Sequence, residues 1–209
     1  PCSGSFVLTD INTGKVKALV SYPGYDANQI NNVSYYASLI NNSSSPLYNR
    51  ATQQTLAPGS TFKPISAIAG LEEGVIDADT YITDYVEYTK VVPHANCWNS
   101  AGHGTINVEQ AIEYSCNYFF YEVGYRLGSK NNTTELNDST GLALLAKYAK
   151  MFGLDSVSGL ELPETTPRIS DESVVRSAIG QATHNYTAAE LARYVTAIAN
   201  SGNLYQLSI

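Results

Sequence analysis

Cysteine is scarce in this chain: three among 209 residues, at positions 2, 97 and 116, with no Cys-x-x-Cys pair. An odd count without that spacing argues against a zinc template and allows at most one disulfide within the chain. Basic residues are few as well, with 12 Lys and Arg against 19 Asp and Glu, a formal net charge of −7 and no Lys/Arg block. Nucleic-acid binding needs a positive field to meet phosphate, so that class of partner is excluded. No apolar run reaches the roughly eighteen residues needed to cross a bilayer, and the N-terminus lacks a signal-peptide pattern. The chain as given therefore reads as soluble. Pro1 is no ordinary translation start, and the abrupt end at Ile209 suggests a piece cut from something longer. What is present is a globular composition, 44% hydrophobic, sufficient for one large domain or two small ones with a real core.

Two alternating runs, 5–10 and 15–21, flank Ile11-Asn12-Thr13-Gly14 and predict a hairpin. Residues 28–50, rich in Asn, Ser and Tyr, read as connecting surface with one short helix near 35–40. Residues 75–106 read as irregular, with short strand-like pieces. His94, Asn96, Cys97, Trp98, His103 and Gly104 crowd there, but their spacing fits no metal-ligand template. A loop folded over an aromatic plug at Trp98 is the reading preferred. Asn107 caps a helix over 108–114, Ser115-Cys116-Asn117 interrupts it, and an apolar segment follows over 118–124. Cys116 reads as a small buried hydrophobe within that helical pattern. The polar run 130–140 is a loop, and 141–152 has helical spacing. A capping box, Thr187 with Glu190, opens a last helix whose apolar face is Leu191, Tyr194, Val195 and Ile198, ending at Gly202.

The stretch with chemical content is Pro58-Gly59-Ser60-Thr61-Phe62-Lys63-Pro64, set before an apolar run that closes at Gly74. Pro-Gly marks a turn, the run predicts a buried helix, and Ser60 falls at its start. Ser60 and Lys63 then rise from one helix face about one turn apart. A serine hydroxyl is a weak nucleophile until a base lies within hydrogen-bond reach, and a lysine can be that base once burial lowers its pKa. Alone, the pair is also what a solvated lysine near a capping serine looks like. Ser115-x-Asn117 is equally modest on its own, since a helix break with a capping serine gives the same pattern. As a polar turn between two helices, though, it can aim a hydroxyl and an amide into a cleft. Together the two elements tip each towards its functional reading, an activated serine beside a polar turn that faces a cleft.

With Asn49-Arg50-Ala51 ahead of the Ser60 stretch and Tyr114-Ser115-Cys116-Asn117-Tyr118-Phe119-Phe120-Tyr121 after it, the chain resembles the transpeptidase domain of class B penicillin-binding proteins, within the penicillin-recognising serine enzymes. The hairpin with its Val20-Ser21-Tyr22-Pro23 ending, Phe152-Gly153-Leu154, Gly159 to Pro163, Ile179-Gly180-Gln181 and Asn200-Ser201-Gly202 are similar to further stretches of that family. Two features depart from it: Ala182 follows Gly180-Gln181 where Gly is common, and no Lys-Thr-Gly or Lys-Ser-Gly occurs. In the family that third motif lies on a strand beyond the equivalent of 200–202.

The resemblance implies a mixed α/β (α+β) fold of the β-lactamase and transpeptidase type, an antiparallel sheet with flanking helices, incomplete at the C-terminus and open at a sheet edge. It implies an opening hairpin over 1–27, a mainly helical subdomain over 28–170 and a return segment with a helix over 171–209. It implies a peptidoglycan D,D-transpeptidase in which Ser60 is the nucleophile, Lys63 its base, Ser115 a proton relay and Asn117 a substrate-binding amide, with no cofactor and no metal. Partners would be peptidoglycan stem peptides and β-lactams. The parent protein would be anchored in the membrane, face outward and join a cell-wall synthesis complex. Activity of this chain would be impaired without the third motif. A β-lactam sensor or serine β-lactamase of the same fold, and a non-catalytic scaffold, are the alternatives.

Overall fold

The computed structural model describes residues 2–130 and 135–209. Positions 131–134 of the expected loop lie outside the described residues. The chain forms two compact units: Pro1–Leu56 with Phe152–Pro167 and Tyr186–Ile209, and Ala57–Met151 with Arg168–Asn185.

The first unit opens with the expected hairpin. Strand β1 (Gly4–Thr9) pairs antiparallel with β2 (Val16–Tyr22), from Gly4 opposite Tyr22 to Leu8 opposite Ala18, and the register shifts after Leu8. Asp10 closes the turn: its carboxylate accepts from Asn12 N at 2.9 Å and its carbonyl from Gly14 N at 2.9 Å. Alternation leaves Phe6, Leu8, Val20 and Tyr22 on an exposed apolar face. Helix α1 (Val33–Ile40) starts at Asn32, and the short α2 (Arg50–Gln53) at Asn49, each with a side-chain amide oxygen accepting first-turn N–H groups.

The second unit is mainly helical. A tight turn, Gly59–Phe62, leads into α3 (Lys63–Glu72), where Pro64 is tolerated because first-turn N–H groups have no helical partner. Two short antiparallel pairs follow, β3 (Ile82–Asp84) with β6 (Gly104–Ile106) and β4 (Glu87–Tyr88) with β5 (Ala95–Asn96). Asn107 and Gln110 form a reciprocal capping box on α4 (Val108–Glu113). Helix α5 (Asn117–Gly128) is the core of this unit and packs against α3, against α6 (Asp138–Met151) and against α7 (Val174–Ser177). Phe119, Phe120, Val123 and Leu127 are its buried stripe. Helix α6 begins earlier than its apolar spacing suggests, at Asp138, whose carboxylate accepts from Val174 N at 2.7 Å.

One reading is corrected in this unit. Cys116 lies outside any helix interior: Ser115, at φ +53°, breaks the path, and Cys116 is the N-cap of α5. Burial of its thiol is as expected.

The chain then returns to the first unit with α8 (Ala188–Ala199), opened by the Thr187–Glu190 capping box and packed on β1 and α2. Its buried stripe is Ala189, Glu190, Tyr194 and Ala197. Val195 and Ile198, expected on the apolar face, are 50% and 42% exposed. Helical spacing allows two adjacent stripes, and the one through Ala189, Tyr194 and Ala197 is the one buried.

Candidate active site

Every residue of the Ser-x-x-Lys and Ser-x-Asn elements falls in the second unit. The nucleophile turn is shaped by backbone. Gly59, at φ +57°, donates its N–H to the Gly180 carbonyl at 2.9 Å. Gly180 itself sits at φ +72°, and a Cβ there would fall 2.0 Å from the Gly59 oxygen. Only glycine allows that approach. One turn on, Ser66 Oγ donates to the Ala178 carbonyl at 2.7 Å, so the segment before Gly180 is fixed to α3.

This frame leaves the Ser60 side chain exposed and buries Lys63, which keeps 2% of its surface. Lys63 Nζ donates to Ser115 O at 2.6 Å, Ser115 Oγ at 3.0 Å and Asn117 Oδ1 at 2.7 Å. Three acceptors match the three N–H bonds of an ammonium. Burial nevertheless dominates and pulls the Lys63 pKa down to about 8, opposed electrostatically by the neighbouring Cys116 and Cys97 sulfurs. Among the described residues no carboxylate bonds this amine.

Ser115 Oγ in turn donates to Ser60 Oγ at 2.8 Å. The four residues singled out in the sequence are thus brought together. The geometry differs in one respect from the expected direct pairing of Lys63 with Ser60, because the Ser115 hydroxyl stands between them. The reason is the left-handed backbone at Ser115, which turns both its carbonyl and its hydroxyl towards Lys63. Such a residue costs on the order of 1 kcal/mol and persists only where surroundings hold it. Ser115 N bonds the Ile112 carbonyl at 3.1 Å, Cys116 N the Ala111 carbonyl at 2.9 Å, and the Trp98 indole N–H the Ser115 carbonyl at 3.0 Å. Trp98 is not the expected plug. Its ring is 64% exposed and lies on the Ser115 turn, because the indole N–H takes its partner there.

Sequence reasoning also missed a cluster beneath this turn. Asp84, Cys97, His103 and Cys116 bring their ligand atoms within 4.8 Å of one another. His103 Nδ1 lies 2.7 Å from Asp84 Oδ2 and 3.5 Å from Cys97 Sγ; Cys116 Sγ donates to Asp84 Oδ2 at 3.4 Å and lies 3.9 Å from Cys97 Sγ. Burial raises the Asp84 pKa, but hydrogen bonds, led by that from His103, outweigh it and hold the carboxyl below its ordinary value. The hydrogen bond with Cys116 holds the Cys97 thiol low. Two sulfurs, an imidazole and a carboxylate could hold a tetrahedral Zn²⁺. The signal that would have found the cluster is strand pairing: β3 against β6 sets Asp84 opposite Gly104, beside His103.

The family model of the penicillin binding protein transpeptidase domain matches residues 4–209. The peptidoglycan D,D-transpeptidase MrdA of Acinetobacter baumannii is 29% identical over 96% of this chain and 31% of its own length. Penicillin-binding protein A from M. tuberculosis, solved as an imipenem acyl-enzyme complex, is 29% identical, with a TM-score of 0.84 over 100% of this chain and 48% of that one. A chain of a peptidoglycan synthase complex, solved for its coordination of polymerization and crosslinking, is 28% identical, with a TM-score of 0.87 over 99% of this chain and 36% of that one. This chain spans between 24% and 42% of the length of the curated relatives it matches.

Proposed function

This chain belongs to the penicillin binding protein transpeptidase family, and on that premise we propose that it carries the serine acylation centre of a peptidoglycan D,D-transpeptidase. The observation that carries the reading is the continuous run from Lys63 Nζ through Ser115 Oγ to Ser60 Oγ, at 3.0 and 2.8 Å. With Lys63 neutral the two hydroxyls rotate to the opposite polarity, Ser60 donating to Ser115 and Ser115 to the amine, so Lys63 takes the Ser115 proton while Ser115 takes that of Ser60. Ser60 Oγ then attacks the carbonyl between two D-alanines of a stem peptide. The tetrahedral oxyanion meets the backbone N–H of Ser60 at the start of the helical turn. As the C–N bond breaks, the departing D-alanine amine recovers the proton by the reverse path through Ser115. The acyl-enzyme passes to the amine of a second stem peptide, which releases Ser60 and forms the cross-link. Asn117 gives its side-chain oxygen to Lys63 and meets Tyr121 with its NH₂, whose second N–H is offered to the substrate amide.

A β-lactam enters as a mimic of the donor and remains on Ser60. By the same reading the parent protein works at the outer face of the cell membrane, within an assembly of the kind solved for the peptidoglycan synthase complex. Among the described residues no helix is long and apolar enough to cross a membrane.

The test is labelling with fluorescent penicillin. Slow, stoichiometric labelling at Ser60, absent in Ser60→Ala, is expected; slow because, by the family resemblance, a second oxyanion N–H comes from the strand of the Lys-Thr-Gly motif, which does not occur in these 209 residues, and loss of one oxyanion donor costs about a hundred- to a thousand-fold in other serine enzymes. Label that persists in Ser60→Ala, or none at all, overturns the reading. Rapid nitrocefin turnover would move it to a β-lactamase.

A further inference from the structure

Trp98 is the single tryptophan of the chain, and none of the acyl-transfer steps above uses it. Its ring is 64% exposed, yet its N–H is committed to one acceptor, the Ser115 carbonyl. An exposed indole could bond water instead. The acceptor is the oxygen that also receives Lys63 Nζ, and it belongs to the one residue between Ser60 and Lys63. That residue has a left-handed backbone, which a side chain with a Cβ holds only when its neighbours impose it. Trp98 is itself well held: its ring meets His103 edge to face at 5.3 Å, and the N–H of the preceding Cys97 bonds the Val86 carbonyl at 2.7 Å.

We propose that Trp98 is a positioning residue for acyl transfer, its indole N–H holding the Ser115 carbonyl so that the strained turn keeps the Ser115 hydroxyl between Ser60 and Lys63. The proposal rests on the acyl-transfer reading. Without the N–H, the turn loses one of its fixed points on the open side and the Ser115 carbonyl is left to Lys63 alone. The proton path from Ser60 then lengthens, while the surface that a ligand meets keeps its shape.

A single tryptophan makes the test clean, because growth on an analogue replaces this side chain and no other. Benzothienylalanine puts sulfur where the N–H was and keeps the two-ring outline; 5-fluorotryptophan keeps the N–H. Acylation of Ser60 by fluorescent penicillin is followed over a range of concentrations, which separates the acylation step k2 from the binding constant Ks. Expected is a fall in k2 of about 3- to 10-fold for the benzothienyl protein, the worth of one hydrogen bond, with Ks unchanged and k2 retained in the 5-fluoro protein. Equal k2 in both proteins overturns the proposal, and so does a change confined to Ks. Fast exchange of the single indole N–H into D₂O, at the rate of free indole, overturns it as well. If the unmodified chain takes no label, the acyl-transfer reading fails first. The clamp is then judged on the Ser115 and Cys116 amides, which exchange faster in the benzothienyl protein if it is real and unchanged if it is not.

Discussion

At position 63 a lysine gives up its hydration for three fixed acceptors, and burial wins by enough to place its pKa at about 8. A base must be neutral to accept a proton, so acylation of Ser60 is expected to rise with pH through about 8 and then level, as a pH series of labelling rates would read. Lys63→Arg keeps the charge at every accessible pH and should lower the rate by about 10²-fold or more, the usual worth of a general base. Glu190 is another perturbed group. It is 1% exposed, and burial raises it from 4.5 to about 7, against the hydrogen bonds from Thr187. A carboxyl with a raised folded pKa favours the folded state below the unfolded value and loses that advantage as pH climbs to the folded one. Stability should therefore fall by about 1–3 kcal/mol between pH 4.5 and 7 on account of this group. Glu190→Gln, which can keep the cap, should flatten that slope in urea titrations.

Among the elements, α5 carries most of the architecture of the second unit, and one buried carboxylate ties it to the strands. Glu122 accepts from Tyr88 Oη at 2.8 Å, from Lys90 Nζ at 2.8 and 3.0 Å and from Arg126 Nε at 2.9 Å. Glu122→Ala strands the buried Tyr88 hydroxyl, while Lys90 and Arg126, with 49% and 35% of their side-chain surface exposed, regain water; the change should cost about 1–2 kcal/mol by chemical denaturation, the worth of one unpaired buried donor. The turn ahead of α5 makes a different prediction. Equimolar Zn²⁺ should bind and raise the melting temperature, Co²⁺ should give thiolate charge-transfer bands, and a chelator should reverse both. Absence of those bands at saturating Co²⁺ would show that the Cys97 and Cys116 sulfurs are not ligands. These elements also show what a sequence displays and what it hides. Asn107 with Gln110 and Thr187 with Glu190 are local patterns, readable because a cap involves residues three apart. Ser60 and Lys63 are readable for the same reason. The arrival of Asp84 beside His103 and the open position of Trp98 depend on partners 17 or more residues away, and the left-handed Ser115 depends on such partners, Trp98 and Lys63, as well as on local bonds to Ile112 and Ala111. Composition and spacing carry no trace of such contacts. Helix α7 was equally hidden, since its start at Ser173 has φ +45° and no side-chain cap.

For the molecule as a whole, the division into two units leaves the entire acyl-transfer group inside one of them, although that unit is built from two separated stretches of chain. The second stretch contributes Gly180, whose contact with Gly59 shapes the turn before Ser60. Gly180→Ala meets both a steric barrier and an unfavourable φ, and labelling of Ser60 should drop at least about ten-fold while a circular-dichroism spectrum shows the helices retained. Parental labelling in that variant would mean the turn is set by other contacts.

The Gly59–Gly180 bond has a consequence for how the protein is made. The ribosome releases Ser60 and Lys63 early and Gly180 much later, so the loop that arms the serine has no template while the nascent chain is short. Reactivity towards penicillin should accordingly switch on abruptly once the tunnel clears residue 180, in place of growing with every residue added, and arrested chains of graded length would show that step.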